Sequence, residues 1–226
     1  RLALKNSENA LLRDSQKDSM KKLLERIAVK INFSSTLRLI ECYDISNLAG
    51  NEPVGAKVSF LEGKPNKSAY RKYRIRDFQD QDDPGMIHQT ISRRIERLED
   101  DPLPDLMLID GGKSQLNAAV AALEKSPLAR KVSVISIAKA VDEEDTDRIY
   151  IPNRKNHLNF KRGDSALLLL MRIRDETHRF VLSFHQESRK KSVIKSLLDE
   201  VSGIGPQKRK ALLITFGSVK GIIEAT

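Results

Sequence analysis

Cysteine occurs once in this chain and tryptophan not at all, and neither a long apolar run nor an excess of acidic groups is present. One thiol cannot close an intramolecular disulfide, and the absence of a CxxC pair excludes the common zinc and dithiol motifs. Cys42 sits within an apolar run, where it reads as a small buried hydrophobe rather than a nucleophile. A reducing, cytoplasmic compartment suits such a sequence. No apolar stretch approaches the ~20 residues of a membrane span, and Arg1-Leu2-Ala3-Leu4-Lys5-Asn6 is not a signal peptide. The chain starts without Met and stops at Thr226 inside a pattern, as a piece of a longer protein would.

What is present is positive charge. Forty Lys and Arg against 31 Asp and Glu give a formal net charge of +9. A basic chain without a membrane segment most often meets a polyanion, so nucleic acid is the expected partner. A hydrophobic content of 39% over 226 residues supports one ordinary core plus a smaller appendage.

Residues 1–35 are polar, with Leu4, Leu11, Leu12, Leu23, Leu24 and Ile27 at rough helical spacing, and read as a helical connector from a preceding domain. The pattern then turns to strands at 37–43, 54–60 and 70–75, joined by the turns Gly50-Asn51-Glu52-Pro53 and Gly63-Lys64-Pro65-Asn66. Asp82-Asp83-Pro84 opens a helix carried to about residue 99 by Met86, Ile87, Ile91, Ile95 and Leu98. A strand at 106–110, a helix at 113–123, a strand at 132–137, a short strand at 148–151 and a long helix over 165–190 follow. This order predicts an α/β domain over 36–192, with a mixed sheet of five to six strands covered by helices, matching the ribonuclease H-like fold. In residues 193–226, Ser202-Gly203-Ile204-Gly205-Pro206 separates two helical stretches, the pattern of a helix-hairpin-helix.

Asp44 and Asp110 each end an apolar strand. Open α/β sheets place ligands at the C-terminal ends of their strands. Two carboxylates from adjacent strands supply hard oxygens for Mg²⁺ or Mn²⁺, although a single Asp there is more often a cap. Gly112-Lys113-Ser114 has no glycine five positions before Gly112, so it is not a phosphate-binding Walker loop. The glycines instead let a phosphate approach the next helix, with Lys113 as an added charge. His178 and His185, seven residues apart on the long helix, are candidates for moving a proton. Asp175, Glu176, Asp82, Asp83 and the acidic run 142–145 are further carboxylates. Arg71, Lys72 and Tyr73, the pair Arg93-Arg94, Arg154-Lys155 and Lys161-Arg162 suit phosphate contacts that position a duplex without reading its sequence. In the tail, Gly203, Ile204 and Gly205 followed by Lys208 and Arg209 suit a backbone cradle for a DNA phosphate.

Ile40 to Ser46, Tyr70 to Tyr73, Asp82-Asp83, Leu108 to Lys113, Arg174 to Phe180 and the Gly-Ile-Gly turn together resemble the C-terminal half of the UvrC family, the incision subunits of bacterial nucleotide excision repair. The resemblance implies a metal-dependent endonuclease that cuts damaged double-stranded DNA 5′ to a lesion, in the bacterial cytoplasm and together with UvrB. It implies Asp44, Asp110 and His178 as catalytic residues and Asp82 and Asp83 as an accompanying acidic motif. The acidic stretch after Lys139 is longer than the family's usual segment, and only the first of its two tandem hairpins is visible. The contrasting reading is a non-catalytic DNA-binding or scaffold module with a degenerate nuclease fold. That module would explain the charge, but not why carboxylates gather inside a basic protein, where they repel phosphate unless a cation intervenes.

Overall fold

A computed structural model describes residues 2–46, 53–75, 82–97, 101–127, 132–140, 146–199, 201, 204–216, 221–222 and 225, without the side chains of 2–14, 184–199, 206, 209 and 213. The chain divides into two compact units, Arg1–Val181 and Leu182–Thr226.

The first unit is built on a mixed sheet. Strands β1 (Leu39–Ser46) and β2 (Val54–Leu61) pair antiparallel. Beyond β2 lie two short strands, β3 (Lys64–Pro65) and β4 (Arg71–Arg74), each paired with a different stretch of it. On its other side β1 pairs in parallel with β5 (Leu106–Asp110), which pairs in parallel with β6 (Ser133–Ala138), and β7 (Arg148–Tyr150) closes the row antiparallel. Seven strands replace the expected five to six. The difference includes β3, a two-residue pairing opposite Phe60 and Leu61, which is too short to show a period-two pattern.

Strand pleating separates two cores. Even-numbered positions of β1 and β5, among them Ile40, Cys42, Leu106 and Leu108, join Leu24, Ile27, Ala28 and Ile31 of α1 (Leu2–Lys30) and its C-terminal turn with Ala166, Leu167, Leu170 and Ile173 of α4 (Ser165–Asp199). Odd-numbered positions, Tyr43, Met107 and Ile109, meet α2 (Asp83–Ile95) and α3 (Lys113–Leu123) through Ile87, Ile91, Leu116 and Ala119. The layers are therefore helix, sheet, helix. The end of α1 belongs to the first core, so a boundary at residue 35 cuts through packed structure: Ile27 is fully buried. Arg26 and Lys30 pair with Asp164, which also accepts the Ala166 amide at the start of α4.

Helix α2 starts where its sequence directs: Asp82 accepts the Gly85 amide at 3.0 Å, and Pro84 falls in the first turn, where no amide is needed. Its inward face carries a charge. Arg94 donates to Glu41 through Nε and Nη2, and Lys57 Nζ donates to Glu41 at 2.8 Å and to Asp101 at 2.6 Å. Tyr43 Oη completes the cluster at 2.5 Å from Glu41. The expectation that Arg94 contacts phosphate is thus overturned: it is wholly buried, and its charge is matched inside the protein.

In the second unit, α5 (Pro206–Phe216) follows Ile204 and Gly205. Gly203 lies outside the described residues, as does the side chain of Arg209, while Lys208 is exposed. Among the described residues no helix is long and apolar enough to cross a membrane.

Candidate metal centre

The parallel register of β1 against β5 sets Tyr43 beside Ile109, and one step further brings Asp44 beside Asp110. Both aspartates occupy even positions, so both carboxylates point to the α4 side. Helix α4 places His178 above them. One ligand atom from each of Asp44, Asp110 and His178 lies within 4.8 Å of the others, and Nδ1 of His178 is 3.1 Å from Oδ2 of Asp44. Among the described residues this is the cluster of such side chains able to hold a metal ion. Immediately after Asp110, Gly111 adopts φ 139°, a region that disfavours any side chain. The chain can therefore turn at once into α3, where Gln115 Oε1 accepts the Gly112 amide at 3.1 Å.

Burial raises the pKa of Asp110 to about 7, reinforced by the Asp44 carboxylate beside it. Burial also raises Asp44, opposed by its hydrogen bond to His178, while the nearby Asp83 carboxylate adds to the rise. One buried carboxylate, one half-buried carboxylate and an exposed imidazole form a donor set of hard oxygens and nitrogen that suits a divalent ion. Such an ion would neutralise the charge that burial opposes.

The remaining expected residues are distributed around this centre. Asp83 is exposed on the first turn of α2, outside the cluster, and Asp82 is the α2 cap. Glu176 is engaged elsewhere: it accepts from Tyr70 Oη at 2.9 Å and from Arg179 at 2.7 and 2.8 Å, so it is not a ligand of this centre. Asp175 pairs with Arg174. The His185 side chain and residues 142–145 lie outside the described residues. Tyr73 is buried in the α2-side core and offers no face to a substrate, whereas Arg71 and Lys72 are exposed. Lys72 lies 4.9 Å from the Phe180 ring centroid, and Phe180 packs edge-on against Tyr70 at 5.1 Å. Lys113 donates to the Lys155 carbonyl and lies 5.7 Å from the Tyr150 ring centroid, which sets the exposed turn carrying Arg154 and Lys155 beside α3.

Sequence reasoning missed the pair Arg174–Asp147, both buried. The signal available was an arginine one helical turn before a candidate histidine.

Carboxylates on neighbouring parallel strands beneath a helical histidine, in a β-β-β-β-α-β-α-β-β-α order, define a ribonuclease H-like domain. The model of the UvrC RNase H endonuclease domain matches residues 28–182, and the chain belongs to that family. UvrABC system protein C of Geobacter metallireducens is 42% identical over 238 residues, across all of this chain and 38% of that protein. The Leptospira biflexa protein of the same name is 41% identical over 236 residues, again across all of this chain and 37% of that protein. The chain thus spans well under half the length of the curated relatives it matches. Among solved structures, endonuclease V of Ciona intestinalis, in complex with a 24mer DNA containing an inosine followed by a ribo-adenosine, is 16% identical with a TM-score of 0.34, over 61% of this chain and 60% of that one. Endonuclease V of Bacillus subtilis is 14% identical with a TM-score of 0.37, over 73% of this chain and 91% of that one.

Proposed function

We propose that the chain is the endonuclease portion of a nucleotide excision repair protein, hydrolysing a phosphodiester 5′ to a lesion in double-stranded DNA and acting with UvrB in the bacterial cytoplasm. The observation that carries this reading is the convergence of Asp44, Asp110 and His178 within 4.8 Å. Asp44 and Asp110 would hold Mg²⁺ or Mn²⁺, with His178 beside them. A divalent ion in such a place polarises a phosphoryl oxygen and lowers the pKa of a bound water.

The chain's own residues supply the rest. Asp44 orients the His178 ring through Nδ1, which leaves Nε2 to take a proton from the attacking water or deliver one to the leaving oxygen. His178 is about half exposed, so that nitrogen can reach a substrate arriving from solvent. Arg71 and Lys72 on β4, and Lys113, Arg154 and Lys155 by α3, suit backbone phosphates on the two sides of the cut. Residues 193–226 act as a helix-hairpin-helix that holds the duplex non-specifically through Gly203, Ile204, Gly205, Lys208 and Arg209, and the nuclease domain expected over 36–192 also takes in the end of α1, which lies in its core. The degenerate-module alternative leaves the carboxylate pair at the sheet end without a purpose.

The test is incision of lesion-bearing duplex by the full-length protein with UvrB present. Asp44→Asn and Asp110→Asn should each abolish the 5′ nick while DNA binding persists. Nicking that survives either change refutes the assignment.

A further inference from the structure

One buried cation close to the metal centre is not used by the mechanism above. Arg174 lies on α4 one helical turn before His178, with its side chain 11% exposed. Its guanidinium donates to Asp147 Oδ2 through Nη1, and to Asp175 Oδ1 through Nε and Nη2 at 3.0 and 2.7 Å. Asp147 is 6% exposed, and its Oδ1 accepts the backbone amide of Ala140 at 3.0 Å. Ala140 follows the end of β6, in which Ile137 is the register partner of Asp110. Asp147 immediately precedes β7. One guanidinium therefore ties both ends of the β6–β7 connection to α4, beside the strand ends that carry the carboxylates. The positive field of Arg174 also reaches Asp110, where it opposes the rise caused by burial.

We propose that Arg174 is a positioning residue for the metal centre. Through Asp147 it sets the height of α4 against the ends of β5 and β6, and so fixes the approach of His178 to Asp44 and Asp110. The helix transmits this directly, because a residue four positions on lies about 6 Å along the same face. Partners that orient metal ligands from behind change metal affinity by about 10–100-fold when removed. The proposal rests on reading Asp44, Asp110 and His178 as a metal centre.

A charge role predicts the opposite sign. A fixed guanidinium near two carboxylates competes with a divalent ion, so its removal would tighten metal binding. A role confined to holding the fold together would lower the melting temperature and leave metal affinity alone.

The experiment is Mn²⁺ titration of the metal-free chain by calorimetry, with thermal unfolding in chelator, for the parent, Arg174→Lys, Arg174→Met and Asp147→Asn. Positioning predicts that both Arg174 variants weaken Mn²⁺ binding by about tenfold or more. Lysine fails to rescue because it keeps the charge but cannot bridge Asp147 and Asp175 together. Asp147→Asn weakens binding in the same direction. Tighter binding in Arg174→Met with parent-like Arg174→Lys overturns the proposal in favour of charge. Lowered melting temperatures with unchanged Mn²⁺ affinity overturn it in favour of a fold-holding role. Should Arg174→Met not fold, Asp147→Asn decides alone, and parent-like affinity there is a refutation. The double variant Asp44→Asn/Asp110→Asn separates the two levels: if it binds Mn²⁺ as the parent does, the metal-centre reading fails and the Arg174 proposal fails with it.

Discussion

Nδ1 of His178 lies 3.1 Å from Oδ2 of Asp44 although 134 residues separate the two along the chain. The contact orients an exposed imidazole by means of a buried carboxylate. With Asp44 accepting a hydrogen bond from Nδ1–H, the other ring nitrogen is free to act as base.

His178→Ala should therefore lower the incision rate by about 10²–10⁴-fold, the usual contribution of a positioned acid or base. DNA affinity, measured by fluorescence anisotropy in chelator, should not change. A parallel loss of affinity would instead make His178 a binding group.

The acidity of Asp110 predicts a dependence of stability on pH. Burial and the Asp44 carboxylate raise its pKa from 3.8 to about 7. Between those values the folded chain holds a proton that the unfolded chain has released. Asp110 thus makes stability fall as pH rises from about 4 to about 7, and leaves it at the lower level beyond. In chelator, Asp110→Asn should melt a few degrees above the parent near pH 8 and level with it near pH 4. Adding Mn²⁺ near pH 8 should raise the melting temperature of the parent more than that of the variant. Equal melting temperatures near pH 8 in chelator would argue against an uncompensated charge pair at Asp44 and Asp110.

The cluster of Glu41, Lys57 and Arg94 should behave as buried ion pairs do. Lys57→Met removes one partner and leaves Glu41 and Asp101 short of a cation. Urea unfolding should show a loss of about 3–5 kcal/mol. Replacing Glu41, Lys57 and Arg94 together with apolar residues of similar volume should recover most of it.

The turn carrying Arg154 and Lys155 should account for part of the salt dependence of DNA binding. Each phosphate that is no longer neutralised by a side chain reduces the slope of log K against log salt by about 0.9. Arg154→Gln/Lys155→Gln should flatten the slope by between one and two such steps. Lys21→Gln/Lys22→Gln, a charge-matched exposed pair on α1, should flatten it less. Equal effects would show that only net charge matters.

The two aspartates were legible because apolar runs announce buried strands and a charge at the end of such a run stands out, although β1 runs on past Asp44 to Ser46. The histidine was legible as a titratable group within the charged stretch from Arg172 to Arg179 of its helix. Tyr73 and Arg94 misled for one reason: each sits in a basic stretch that reads as surface, and only the pleat of β4 and the facing side of α2 turn them inward. Pleat direction depends on register against β2, which no local pattern reveals. The role of α1 was half visible, since helical spacing was apparent but not the core that Ile27 enters. Arg174 and Asp147 lie 27 residues apart and meet only because β7 returns beside β6, so their pairing has no local signature.

The shared parity of Ile40, Cys42 and Asp44, and of Leu106, Leu108 and Asp110, has a consequence for how such sequences can diverge. The same alternation that fills the α4-side core aims the two carboxylates. Losing one residue within either run turns that strand's carboxylate to the opposite layer while a paired strand can still form. Drift in length is therefore confined to the connections between strands, and the reactive geometry is inherited together with the packing.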